Sequence, residues 1–290
     1  MKPARVFFLT SLAMIAFASN SLLCRLALKQ TTIDAATFTL DRILSGAIAL
    51  WLVMRIGHRT NWPKAGNWLS AFALYIYAAA FSFAYLSLSA GTGALLLFGA
   101  VQATMIFWGL RKGERLHAIQ IIGLIAAIGG LVVLMLPGIA APPLIGSVLM
   151  LSAGVAWGIY SLRGKGETNP ASATAGNFLR AVPFAVLVSV LMMRQHHFDP
   201  LGATYAVISG AITSGLGYVI WYSALPGLKA TSAATVQLSV PVLAAAGGIL
   251  LLREPLTLRF LLASIAVLGG IALVVMRKHR LLQFRAGTEN

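Results

Sequence analysis

Acidic residues are scarce in this chain: Asp and Glu together number seven in 290 residues. Asp34, Asp41, Glu114, Glu167, Asp199, Glu254 and Glu289 are scattered. They offer no paired carboxylates for acid–base chemistry within one layer of the apolar segments described below. Cysteine is scarcer still, with Cys24 alone. That excludes an intramolecular disulfide and a cysteine-built metal site, and no cofactor is expected. Charge of either sign is low, at 10% of residues against roughly 25% in soluble domains. Hydrophobic residues make up 59%, and the mean hydropathy is +0.85. No globular core could bury that much apolar sequence, so the chain reads as an all-α integral membrane protein whose main partner is the lipid bilayer.

What charge there is has one sign. The net charge of +15 would suggest a nucleic-acid partner in a soluble protein. Here the lysines and arginines fall between apolar runs, where they set membrane orientation, so no nucleic-acid partner is expected. A spanning helix needs about 20 mostly apolar residues. Ten segments qualify: 5–28, 35–56, 67–89, 91–111, 116–136, 144–163, 172–194, 201–224, 230–252 and 256–276. With ten spans, fifteen basic residues lie on the side of the two termini and five on the other, with Arg42 and Arg180 inside spans. Positive charge marks the cytoplasm. The expectation is therefore a multi-pass protein of a bacterial inner membrane with both termini inside. Lys2, Arg5 and the run ending Ala16-Phe17-Ala18 resemble a cleavable signal. The run continues past Ala18, however, and residues 17–25 align with 155–163, so it is read as a span.

The chain also repeats itself. Residues 91–135 and 230–276 carry much the same text: Thr92 answers to Thr231, Glu114 to Glu254, and Gly129-Gly130 to Gly269-Gly270. Arg25 aligns with Arg163 and Arg42 with Arg180. The period is too long for a solenoid and implies a duplicated half. Residues 1–138 form a first five-helix repeat, 139–280 a second, and 281–290 a disordered cytoplasmic tail. Five is odd, so the second repeat must enter the membrane upside down. Inverted repeats of this kind place a solute site at their interface and alternate access across it.

These features resemble the EamA type of the drug/metabolite transporter superfamily: ten helices in two repeats, Arg42 and Arg180 early in the second helix of each half, and the glutamates Glu114 and Glu254 followed by Gly-Gly. Glu254-Pro255 and Gln237-Leu238-Ser239-Val240-Pro241-Val242 are the closest matches. The first half departs from the pattern, with Arg115 in place of the proline and Gln102 where the second half has Pro241. The resemblance implies a secondary transporter that exports amino acids, aromatic ones included, and related metabolites by alternating access. Efflux of drugs or of another metabolite, such as a nucleotide-linked sugar, is the nearest alternative. A membrane-embedded enzyme is more remote, and the absence of any soluble domain speaks against a signalling subunit.

Polar and aromatic residues inside spans point to the bundle interior, because polar groups are costly in hydrocarbon. Phe17 and Asn20 lie in the first span, Tyr77 and Phe81 in the third, and Phe98 and Gln102 in the fourth. Trp157 and Tyr160 lie in the sixth, Tyr218 and Tyr222 in the eighth, and Gln237 in the ninth. Together they are expected to line a cavity with aromatic walls and a few amides and hydroxyls for a small-molecule substrate. The competing reading places such rings in an interfacial belt or in plain packing. Arg42 and Arg180 are expected to snorkel to the interface and cap helix ends; the sharper alternative is that one binds a substrate carboxylate. Glu114 and Glu254 are expected to accept hydrogen bonds at a helix N-terminus, and the Gly-Gly pairs to allow close helix contact. Asp41 is the one acid well inside a span, so coupling to protons through a buried acid is expected to be weak. His196-His197 reads as a solvated loop pair, and Gly91-Thr92-Gly93 is no phosphate loop, since no lysine follows.

Overall fold

A computed structural model describes residues 3–56, 65–113, 115–138, 141–164, 167, 169–228 and 230–287. Ten helices in it are long and apolar enough to cross a membrane, and no strand occurs among the described residues. They are α1 Pro3–Gln30, α2 Ala35–Ile56, α3 Trp68–Tyr85, α4 Ala90–Arg111, α5 Ala118–Met135, α6 Leu144–Gly164, α7 Pro170–Leu191, α8 Pro200–Gly227, α9 in two pieces, Ala230–Gln237 and Ser239–Leu252, and α10 Leu258–Gly287. The helical backbone of α10 runs past residue 280, where a disordered tail is expected from sequence. Phe7, Ile56, Ile122, Ile145, Leu191 and Leu250 are among many large apolar side chains left on the outside. Such a coat is what lipid requires, and the protein is a multi-pass membrane protein.

Helix ends follow from local chemistry. Asn67, Ser89, Asn169 and Asp199 each accept a hydrogen bond from the backbone N–H three residues on, capping α3, α4, α7 and α8. Pro170 and Pro200 then occupy the first turn, where the missing N–H costs nothing. The break in α9 at Leu238 has a single cause. Pro241 has no N–H to give the carbonyl of Gln237, and its ring crowds that turn. The freed backbone is taken up locally by Leu238 N–H on Thr235 O and by Ser239 Oγ on Val236 O. The middle of α8, Ser209–Leu216, is wound as a π-helix.

Between helices in lipid the hydrophobic drive is weak, so small residues and hydrogen bonds carry association. The pattern of neighbours is reciprocal. α5 packs on α10 and α2 on α7; α3 packs on α6 and α7, α2 and α1 on α8, and α4 on α6 and α9, with α1 also on α9. At the α5–α10 crossing, a Cβ added to Gly123 would come within 2.5 Å of the Gly270 carbonyl oxygen, and one added to Gly130 would meet Ala266 Cβ at 2.8 Å. Close approach there belongs to one glycine of each Gly-Gly pair. Gly129 and Gly269 face open space.

Candidate functional site

Where α1, α3, α4, α6 and α8 converge, a small cavity of about 20 Å³ is lined by Phe17, Asn20, Ser21, Tyr77, Phe81, Leu97, Phe98, Trp157 and Tyr218. That volume holds about one water, so the site is closed in this state. Its wall is a stack of rings. Trp157 lies 4.8 Å from Tyr77 and 4.9 Å from Tyr218, centroid to centroid, and Phe17 meets Tyr218 edge-on at 5.8 Å. Seven of the eleven expected cavity residues come together here. The other four lie elsewhere. Tyr160 and Tyr222 line a second small pocket with Arg163 and Asn177. Gln102 is buried in α4 outside both pockets. Gln237 turns its amide onto Ala233 O in its own helix.

Behind the rings runs a polar network. Asn20 Nδ2 donates to Tyr77 Oη at 3.2 Å. Its Oδ1 accepts from Ser209 Oγ at 2.6 Å and Thr213 Oγ1 at 3.3 Å. The π-helical winding of α8 turns Ser209, Thr213 and Ser214 toward α1 and α2; such segments recur at functional sites. Arg42 Nη2 donates to Tyr77 Oη at 3.0 Å and to Ser214 Oγ at 3.2 Å, and Arg42 Nε reaches the same Ser214 oxygen at 3.3 Å. Its guanidinium carbon sits 4.9 Å from the Phe81 centroid and 5.2 Å from that of Tyr77.

Arg42 corrects an expectation. It does not snorkel: it is 1% exposed, seven residues and so about 10 Å along α2 from its first residue. Gly210 explains how it stays there. α2 and α8 touch backbone to backbone, so a Cβ at Gly210 would collide with the Arg42 carbonyl. Arg180, ten residues into α7, is half-buried and donates to Ala65 O, just ahead of α3, at 2.7 Å and to Gly176 O in its own helix at 2.9 Å. Asp41, next to Arg42 in the chain, is half-buried on the neighbouring face of α2. Sequence reasoning missed Ser209, Thr213 and Ser214, although three hydroxyls in one turn and a half of an apolar span are a readable signal.

Each end of the bundle is closed by polar contacts. At one end Glu254, 7% exposed, pairs with Arg25 at 3.0 Å. Its other oxygen accepts the Ala90 N–H at 2.8 Å, at the start of α4. Arg25 also donates to the carbonyls of Tyr85 and Leu86 at 2.7 and 3.2 Å. Glu254 thus serves a helix N-terminus, but that of α4 rather than its own α10. The chain turns to aim it there: Arg253 adopts a left-handed φ of 53°, and the N–H groups of Arg253 and Glu254 both turn back to Gly248 O, the latter at 3.1 Å. A larger pocket of about 240 Å³ opens beside this knot, between Ser87–Thr92, Ala141–Pro143 and Pro255–Phe260. Glu114, the counterpart of Glu254, lies outside the described residues; Gly113 before it has φ 87°. At the opposite end Arg163 donates to Ser70 Oγ at 3.0 Å and Asn67 Oδ1 at 3.1 Å, and Asn67 N–H binds Asn177 Oδ1.

Off the membrane segments, Asp34 caps α2. Burial works against its charge, but the Thr37 hydroxyl and the N–H groups of Thr37, His197 and Ala36 outweigh it and hold its carboxyl below the usual range. His196, expected to be solvated, has Nδ1 2.8 Å from Thr37 Oγ1.

Comparison with known proteins matches this architecture. Residues 144–276 fit the EamA-like transporter family. An uncharacterized protein of Pseudomonas aeruginosa is 55% identical over 95% of this chain and 96% of its own. An uncharacterized transporter of Archaeoglobus fulgidus is 23% identical over 96% and 99% of the two chains. The threonine/homoserine exporter RhtA of Salmonella typhimurium is 30% identical, over 48% of this chain and 49% of its own. One crystal structure superposes with a TM-score of 0.65 over 94% of this chain and 98% of that one, at 15% identity, a likeness of fold. With ten apolar helices around a closed central cavity, the chain belongs to the EamA-like family of the drug/metabolite transporter superfamily and is a transporter, not an enzyme.

Proposed function

We infer that the protein exports amino acids, aromatic ones included, and related metabolites across a bacterial inner membrane, with both termini cytoplasmic. The observation that carries the reading is the central cavity. Its rings suit an apolar or aromatic side chain, and its amide, hydroxyl and guanidinium network suits the polar end of the same solute. Half-length similarity to a threonine/homoserine exporter agrees in class. Access alternates between two inverted halves, residues 1–138 and 139–280. Supporting this, Gly123 meets Gly270 while Gly130 lies against Ala263, and these contacts exchange when 123 is swapped for 263 and 130 for 270. The left-handed residues Gly113 and Arg253, each just before a glutamate, agree as well. On the charge distribution, the Glu254 end faces outward and the Arg163 end faces the cytoplasm.

The test is flux from liposomes loaded with labelled amino acids. Saturable efflux of an aromatic amino acid is expected. Movement of a cationic dye with no saturable flux of any amino acid would overturn the reading and favour drug efflux.

A further inference from the structure

We propose that Arg42 is the residue that binds the carboxylate of the transported solute, and that Ser214 and Tyr77 occupy its fork only while the site is empty. The proposal rests on the export reading above and narrows it to carboxylate-bearing solutes.

A guanidinium has five N–H donors in a fixed fork and no acceptor. Three face neutral hydroxyls, at 3.0 to 3.3 Å. Arg42 Nη1, with two more, is buried without any hydrogen-bond partner. Neither of the two ion pairs found among the described residues involves Arg42. Fully buried charges are normally paired, because an isolated ion in a low-dielectric interior is expensive. Stacking on Phe81 and Tyr77 offsets part of that cost but supplies no anion. The unmet need is for a planar, bidentate acceptor, the geometry of a carboxylate.

The position fits. Tyr77 and Phe81, on which the guanidinium rests, are themselves walls of the central cavity. A solute whose carboxylate reached past Tyr77 would leave its side chain among Phe17, Phe98, Trp157 and Tyr218. One carboxylate oxygen would take the free Nη1, and the second would replace Ser214 or Tyr77 on Nη2. A charge-assisted bond is roughly twice as strong as the neutral one it displaces. A cation would meet repulsion at the same place.

The test uses the full-length protein in liposomes, with labelled phenylalanine as probe and two competitors that share its ring. 3-Phenylpropionate keeps the carboxylate and lacks the ammonium; phenethylamine has the reverse. Competition by the carboxylate is expected to exceed that by the amine about 100-fold, the loss that follows from two charge-assisted hydrogen bonds. Arg42→Lys keeps the charge and loses the fork, and is expected to weaken phenylalanine binding about tenfold. Ser214→Ala leaves Arg42 in place and frees two further donors, on Nε and Nη2, so it is expected to tighten carboxylate binding several-fold; this variant reports even where Arg42 variants fail to fold. Equal competition by the two analogues, with phenylalanine still transported, overturns the role of Arg42 and leaves the export reading intact. No binding of phenylalanine or either analogue overturns both.

Discussion

Replacing Glu254 by Gln is expected to unlatch one end of the bundle without unfolding it. The amide oxygen still accepts the Ala90 N–H, and Arg25 keeps the Tyr85 and Leu86 carbonyls. What disappears is the charge. The new NH2 then faces Arg25 Nε donor to donor, and losing that charge-assisted bond costs about 1.5 kcal/mol at a site this buried. Losing a negative charge beside the first turn of α4 adds roughly 0.5 kcal/mol. At about 1.4 kcal/mol per decade, the opening equilibrium then shifts about 30-fold. The molecule carries its own reporter. Cys24 is the single cysteine and is fully buried, one residue before Arg25. Its alkylation by a membrane-impermeant maleimide follows the population of the open form. The rate is expected to rise about 30-fold with reagent on the Glu254 side, and not with reagent confined to the other. A rate unchanged by Glu254→Gln, or raised equally from both sides, would refute the latch and reduce the pair to ordinary packing.

Four further outcomes follow from the geometry. Gly270→Ala is expected to lower stability by about 2 kcal/mol, because its Cβ would meet the Gly123 carbonyl; Gly269→Ala, in open space, is expected to be neutral or to stabilise by up to about 1 kcal/mol through helix propensity, and thermal unfolding in detergent compares the two. Arg253→Gly relieves a left-handed backbone and is expected to stabilise by about 1 kcal/mol in the same assay. Asp34→Ala is expected to cost about 1 kcal/mol: the folded pKa lies below the unfolded value, so the contribution is complete above about pH 4 and fades as pH falls through the folded pKa, which stability measured across pH 3 to 7 follows. Tyr160→Ala is expected to change the maximal rate of transport several-fold while leaving half-saturation nearly unmoved; a loss of affinity equal to that of Trp157→Ala would place Tyr160 in the binding cavity instead.

Most of the fold is legible in the sequence because its causes are local and one-dimensional. Span length follows from bilayer thickness, and caps such as Asn67, Ser89 and Asp199 stand next to the turns they close. Partnerships across helices are not legible in that way. The pairing of Arg25 with Glu254 crosses 229 positions. The glutamate's role at a helix N-terminus could be read from its charge, but not that the helix would be α4. Arg42 shows the same limit. Sequence gives an arginine early in a span, where snorkelling is the cheaper fate; only the contact of α2 with α8 through Gly210 keeps it inside.

Three of the four expected cavity residues that lie elsewhere, Gln102, Tyr160 and Tyr222, share one geometric reason. Helical spacing tells which residues share a face, not how deep each one sits. Gln102 is four residues after Phe98, Tyr160 three after Trp157, and Tyr222 four after Tyr218, so each shares a face with a cavity residue and lies about 4.5 to 6 Å further along its axis. The cavity is too small to extend over that extra turn. All three helices run the same way here, from the Glu254 end toward the Arg163 end, so all three residues are displaced in the same direction. Tyr160 and Tyr222 accordingly border the pocket beside Arg163. On the transport reading they stand on the route between the cavity and the cytoplasm, past which a solute must move but where it need not rest. That is why a change at Tyr160 is expected to alter rate, and a change at Trp157 affinity.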